Sequence, residues 1–192
     1  MAHGAGAGIE TDFMTHLAEG IAQCGIQVIR FEFPYMEKIR ETGKRRPPNA
    51  AKKLIEHFKH QLSDTSGTIF IGGKSMGGRI ASMIVEETNA IGCICLGYPF
   101  HPPGKPAKLR TEHLQTMSKP ILIIQGERDP FGKKQEIQSY SLDSNIRILY
   151  LPDGDHGFKP RKASGYTTTE NLDKAVSQVV AFIQQVAAAN KA

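Results

Sequence analysis

From Phe13 to Ile21 apolar residues return every four positions: Phe13, Leu17 and Ile21, with Met14 and Ala18 beside them. That spacing lays a stripe down one side of a helix, and Thr11 just ahead of it is an N-cap. Past Gly25 the period shortens, and Val28, Ile29 and Phe31 predict a strand over Ile26–Phe33. Pro34 to Pro48 is polar and punctuated by proline, so it reads as a loop. Asn49 then caps a second helix, with Leu54, Phe58 and Leu62 on its apolar face and Lys52, Glu56, Lys59 and His60 opposite.

The second half of the chain alternates more tightly. A strand pattern at Ile69-Phe70-Ile71 precedes a helical one from Met76 to Val85, and Ile91 to Leu96 is again a strand. A proline-rich loop from Gly97 to Pro106 and a short helix around Glu112 to Met117 lead to Pro120-Ile121-Leu122-Ile123-Ile124. That unbroken apolar run is what a strand covered on both faces looks like. A helix from about Lys133 to Tyr140, a strand from Ile146 to Leu151 and a last helix complete the pattern. Thr167 and Glu170 form a capping box for that helix, and Leu172, Val176, Val179, Ile183 and Val186 are its core stripe. Strands alternating with helices predict an α/β fold: a mostly parallel sheet flanked by helices on both faces. Without repeats or linkers, residues 1–192 read as one domain. Ligands of such sheets bind at the carboxyl ends of the strands.

One stretch at such an end carries chemistry. Gly73-Lys74-Ser75-Met76-Gly77 follows a strand and opens a helix, the context in which G-x-S-x-G is a nucleophile elbow. Gly73 and Gly77 leave room in a tight turn that lifts Ser75 above the sheet edge. A phosphate-binding P-loop ending in Gly73-Lys74-Ser75 is excluded, because Thr68 stands where its first glycine belongs and Ile69 to Gly72 are strand residues.

Charge and composition narrow the class without naming it. The net charge of +5 is concentrated in Lys38, Arg40, Lys44, Arg45, Arg46, Lys52 and Lys53, with no nucleic-acid module around them. No apolar run approaches the ~18 residues of a membrane span, and the first ten residues do not form a secretory signal. The three cysteines lack C-x-x-C spacing, so reduced thiols in a cytoplasmic protein are expected. No metal-ligand spacing accompanies His57 or His60, and neither metal nor organic cofactor is expected.

A serine hydroxyl needs a base in reach and a third group to orient that base. Of seven histidines, His156 lies in a glycine-flanked loop directly after the last strand, on the edge that carries Ser75. Asp129 follows the strand Ile121 to Ile124, which gives the chain order Ser75, Asp129, His156. Glu127, Asp153 and Asp155 are rival acids, disfavoured because Glu127 is still close to its strand and the other two are too near His156 in sequence. An oxyanion needs two N–H donors: Met76 supplies one, and the glycine-rich His3-Gly4-Ala5-Gly6-Ala7-Gly8 supplies the other through Ala5. His101, Arg45 and Arg46 are candidates for lining the substrate site, the arginines by favouring anionic acyl groups.

These motifs together resemble the α/β-hydrolase superfamily, in particular its small dienelactone-hydrolase-like members. The resemblance runs from His3-Gly4-Ala5-Gly6-Ala7-Gly8 through Gly73-Lys74-Ser75-Met76-Gly77-Gly78-Arg79 and Gly126-Glu127-Arg128-Asp129-Pro130 to Gly154-Asp155-His156. It implies a serine hydrolase acting on small or protein-borne esters or thioesters, with no nucleic-acid or membrane partner. The alternative it implies is a hydrolase-shaped module with little turnover and a protein partner. Two departures stand out. The family's oxyanion loop follows a central strand, and here the chain starts at the tip of that strand. Either the strands at Ile26 to Phe33 and Ile69 to Ile71 pair directly, or, as the preferred reading, the core is amino-terminally truncated with His3 to Gly8 unanchored. The usual lid position holds only the Tyr98 to Arg110 loop, so no cap closes over a long acyl chain.

Overall fold

Along the central strands, neighbouring residues point to opposite layers, and both layers are apolar. The computed structural model describes residues 1–191. Its sheet runs β1 (Phe70–Lys74), β2 (Gly92–Leu96), β3 (Ile121–Gly126) and β4 (Ile146–Leu151), in that order and all parallel. Ile71, Cys93, Cys95, Ile121 and Ile123 pack on one side against α3 (Ala51–Leu62) and α4 (Met76–Ile84). Ile94, Leu96, Leu122 and Ile124 pack on the other against α1 (Asp12–Gln23) and α6 (Thr168–Ala189). This is the helix-covered parallel sheet that the apolar runs predict, and β3, which contains the apolar run Ile121 to Ile124, is buried throughout. Among the described residues no helix is long and apolar enough to cross a membrane.

The capping residues explain where several helices begin. Thr11 accepts from the Met14 N–H at 3.3 Å to start α1, and Thr167 with Glu170 forms the capping box of α6. Four expectations are corrected. Pro34 to Thr42 is a helix, α2, where the sequence reads as a loop: Pro34 is its first residue, Gly43 closes it in the left-handed conformation, and Tyr35 and Met36 are buried. Asn49 does not cap α3, which starts without a side-chain cap; its Oδ1 accepts instead from the Tyr35 N–H in α2 at 3.1 Å. The helix after Asp129 is a single turn, α5 (Lys134–Ile137).

The fourth correction concerns Ile26 to Phe33, which forms no ladder. Ala2 sits between it and β1 and bridges to both Phe31 and Gly73. The Ala2 N–H donates to Gly72 at 2.9 Å, and the Ala2 carbonyl accepts from Lys74 at 3.0 Å. One residue further back, Met1 accepts from Phe31 and donates to Ile29. Below Met1 the two edges diverge around an apolar cavity of about 480 Å³, lined by Ile26, Val28, Phe58, Ile71, Ile94 and Val179. Residues 26–31 therefore have β-forming side chains but only one ladder position filled, and a strand needs a partner on its hydrogen-bonding edge.

Candidate active site

The turn from β1 into α4 is built by side chains that are missing. Ser75 has φ +50° and ψ −114°, in the left-handed half of backbone space where a side chain is strained. A Cβ at Gly77 would lie 2.7 Å from the His3 carbonyl, and one at Gly73 would overlap the Ala2 carbonyl and approach Gly77 at 2.9 Å. The two glycines thus admit the 2–3 backbone as well as each other. The strain at Ser75 is held by the Ser75 N–H donating to Leu96 and the Ser75 carbonyl accepting from Arg79, at 2.9 and 3.0 Å.

Three side chains from three strand ends meet there. The Ser75 Oγ lies 2.9 Å from His156 Nε2, and His156 Nδ1 lies 2.8 Å from Asp129 Oδ2. Asp129 is fully buried, while about a quarter of the His156 side chain is exposed. The second Asp129 oxygen accepts from the Phe131 N–H at 2.8 Å, and Gln125 Nε2 donates to Oδ2 at 3.0 Å. An acceptor-only carboxylate with these three donors is fixed facing the imidazole. Phe131 leans over the His156 ring with centroids 4.3 Å apart.

The rival acids are engaged elsewhere. Glu127 pairs with Lys134 at 2.9 Å and accepts from the Asp153 N–H at 3.0 Å. Asp153 is gripped by Arg161 and Arg128, and hydrogen bonds from Arg161 hold its carboxyl down at about 2. Asp155 Oδ1 accepts from the N–H groups of Gly157 and Lys159.

Ala5 stands in a turn beside the elbow, since the neighbouring Gly4 would place a Cβ 3.6 Å from the Ser75 Cβ. This loop is anchored, contrary to the expectation from sequence. The Tyr35 hydroxyl lies 3.2 Å from the Gly4 carbonyl and 3.0 Å from the Ala5 carbonyl. The buried His3 accepts from the Phe33 N–H at 3.0 Å through Nε2 and donates from Nδ1 to the Gly4 carbonyl at 2.6 Å. Burial lowers the His3 pKa, in keeping with a neutral ring carrying its proton on Nδ1. Met76 opens α4, so its N–H has no partner within the helix.

The remaining candidates are not brought to Ser75. His101 is buried, with Nε2 3.0 Å from Glu136 and Nδ1 2.9 Å from the Pro102 carbonyl, so both ring nitrogens are engaged and none is left for a ligand. Arg45 and Arg46 are exposed in the segment after α2 and make no hydrogen bond or ion pair with a described residue. Sequence reading missed His3, Tyr35, Gln125 and Phe131. Only Gln125, a polar residue at the end of an otherwise apolar run, leaves a signal there. Among the described residues no group of three or more His, Cys, Asp or Glu side chains is placed to hold a metal ion.

Comparison with known proteins agrees with this architecture. A family model described as an alpha/beta hydrolase domain matches residues 1–184. An alpha-beta serine hydrolase homologue from Coxiella burnetii superposes with a TM-score of 0.67 at 17% identity, covering 93% of this chain and 82% of that one. Est1E from Butyrivibrio proteoclasticus, in a structure with ferulic acid bound, gives 0.67 at 15% identity over 97% of this chain and 88% of the other. XC6422 from Xanthomonas campestris, described as an a/b serine hydrolase without lid, gives 0.61 at 18% identity over 92% and 78%.

Proposed function

The chain belongs to the alpha/beta hydrolase family, and we propose that it is a serine hydrolase that cleaves small or protein-borne esters or thioesters through an acyl-enzyme. The observation that carries this is the continuous contact from Ser75 Oγ through His156 to the buried Asp129, at 2.9 and 2.8 Å. Ser75 attacks the acyl carbonyl as His156 Nε2 takes its proton. The buried Asp129 carboxylate stabilises the imidazolium that forms and holds its Nδ1–H in place. The N–H groups of Met76 and Ala5 receive the oxyanion. His156 then returns the proton to the departing alcohol or thiol, and a water repeats the sequence to release the acid. No helix is inserted between β2 and the short 3-10 helix at Glu112–Gln115. An open site of this kind favours short acyl groups.

The test is turnover on a panel of esters and thioesters of increasing acyl length. Ser75→Ala is expected to lose about 10⁶-fold in kcat, as in comparable triads. Rates are expected to fall as the acyl chain lengthens. Residual turnover in Ser75→Ala equal to that of the parent contradicts the assignment.

A further inference from the structure

Lys74, the variable residue between Gly73 and Ser75 in the elbow, ends its strand with a side chain that turns inward. Its Nζ donates to the backbone carbonyl of His156. The same nitrogen lies 5.2 Å from the centroid of the Phe13 ring and 5.7 Å from that of Phe158. Room for it comes from Gly97 at the end of β2: a Cβ there would fall 2.7 Å from Lys74 Nζ and 3.2 Å from the His156 carbonyl. The ammonium therefore ties together the strand that carries Ser75, the end of β2 and the loop that carries His156.

Lys74 is half-buried, withdrawing its ammonium from water is costly, and it forms no direct ion pair with a carboxylate among the described residues. Packing alone would be met at less cost by an uncharged side chain of the same length. What the ammonium adds is a charge-assisted bond to the main chain of the base itself, together with cation–π contact to two rings. Granted the serine-hydrolase reading, on which this rests, we propose that Lys74 is a positioning residue: its ammonium holds the His156 backbone where Nε2 reaches the Ser75 oxygen.

The charged and titratable groups facing Lys74 are Asp129 from the loop after β3, and Asp155 and His156 from the loop after β4; α1 presents the uncharged Phe13 ring. Burial lowers the Lys74 pKa to about 8, with Asp129 and Asp155 pulling the other way. The ammonium is thus present below about pH 8 and lost above it, within the range where activity can be followed.

The experiment compares the wild type with Lys74→Arg and Lys74→Met, measuring kcat and KM on one short ester from pH 6 to 10. In the wild type kcat is expected to fall on the alkaline side around pH 8. Lys74→Arg, which stays charged, keeps turnover and loses that fall. Lys74→Met lowers kcat by about 10–100-fold with KM almost unchanged, the size of effect that a misplaced catalytic group produces. A wild-type midpoint that persists in Lys74→Arg, or an undiminished kcat in Lys74→Met, overturns the proposal.

Hydrogen exchange of the Gly157, Phe158 and Lys159 amides, compared at one pH, gives a readout independent of turnover. Their N–H groups are bonded to Asp155, and they are expected to lose protection in Lys74→Met but not in Lys74→Arg. Unchanged protection in Lys74→Met removes the positioning role whatever the kinetics show. If the wild type turns over no ester or thioester while the exchange result holds, the hydrolase reading fails and the tether stands.

Discussion

At the scale of single residues, Ser75, Asp129 and His156 are legible from sequence because each follows a strand in a chain order that the chemistry recognises. Their supports are not. Tyr35 reaches Gly4 and Ala5 across about thirty positions, and no local pattern marks a tyrosine that will bond two carbonyls so far back. Tyr35→Phe keeps the ring and removes that hydroxyl. It is expected to cost about 0.5–1.5 kcal/mol in stability, the net worth of an ordinary hydrogen bond. It should also lower kcat by loosening the loop that offers Ala5. An unaltered kcat separates the hydroxyl from the oxyanion site.

Asp153 behaves differently, because its role is electrostatic. It takes up φ +48°, which asparagine also tolerates, so Asp153→Asn tests the charge rather than the backbone. Its folded-state pKa of about 2 lies below the ~3.9 of a free aspartate. Its contribution is therefore complete above that free value and is lost as pH falls toward 2. The melting temperatures of wild type and Asp153→Asn should differ most above about pH 4 and converge toward pH 2. A difference independent of pH contradicts the pairing with Arg161 and Arg128.

Among the elements, the strands β1 to β4 are legible from their apolar runs, α1 and α6 because apolar period and capping residue agree, and α3 from its period alone. The failures have physical causes. Pro34 reads as the start of a loop, yet proline suits the first turn of a helix, and α2 buries Tyr35 and Met36 behind it. Residues 26–33 carry the side chains of a strand, but a ladder is a property of two edges, and only Met1 and Ala2 occupy the facing position. The alternation of β1 puts the Phe70 N–H and carbonyl on that same edge, below Met1 and beside the cavity. Joining about five β-branched apolar residues ahead of Met1 should therefore fill the space as a parallel strand. Melting should rise by about 2–4 °C for each kcal/mol gained, with new exchange protection at Phe70. An unchanged melting temperature and an unprotected Phe70 amide would show that the cavity does not accept a strand.

Over the whole molecule, the sheet brings together groups that the chain keeps far apart, Ser75 and His156 standing 81 positions apart. Two faces of buried side chains hold the strand ends in register, and Ser75, Asp129 and His156 converge at those ends. The most direct measurement of this arrangement is reaction with a fluorophosphonate, with the adduct located by peptide mass spectrometry. The account predicts a single modification on Ser75, absent in Ser75→Ala and slowed in His156→Ala. Folded protein that takes up no label, or takes it up equally well without His156, contradicts it.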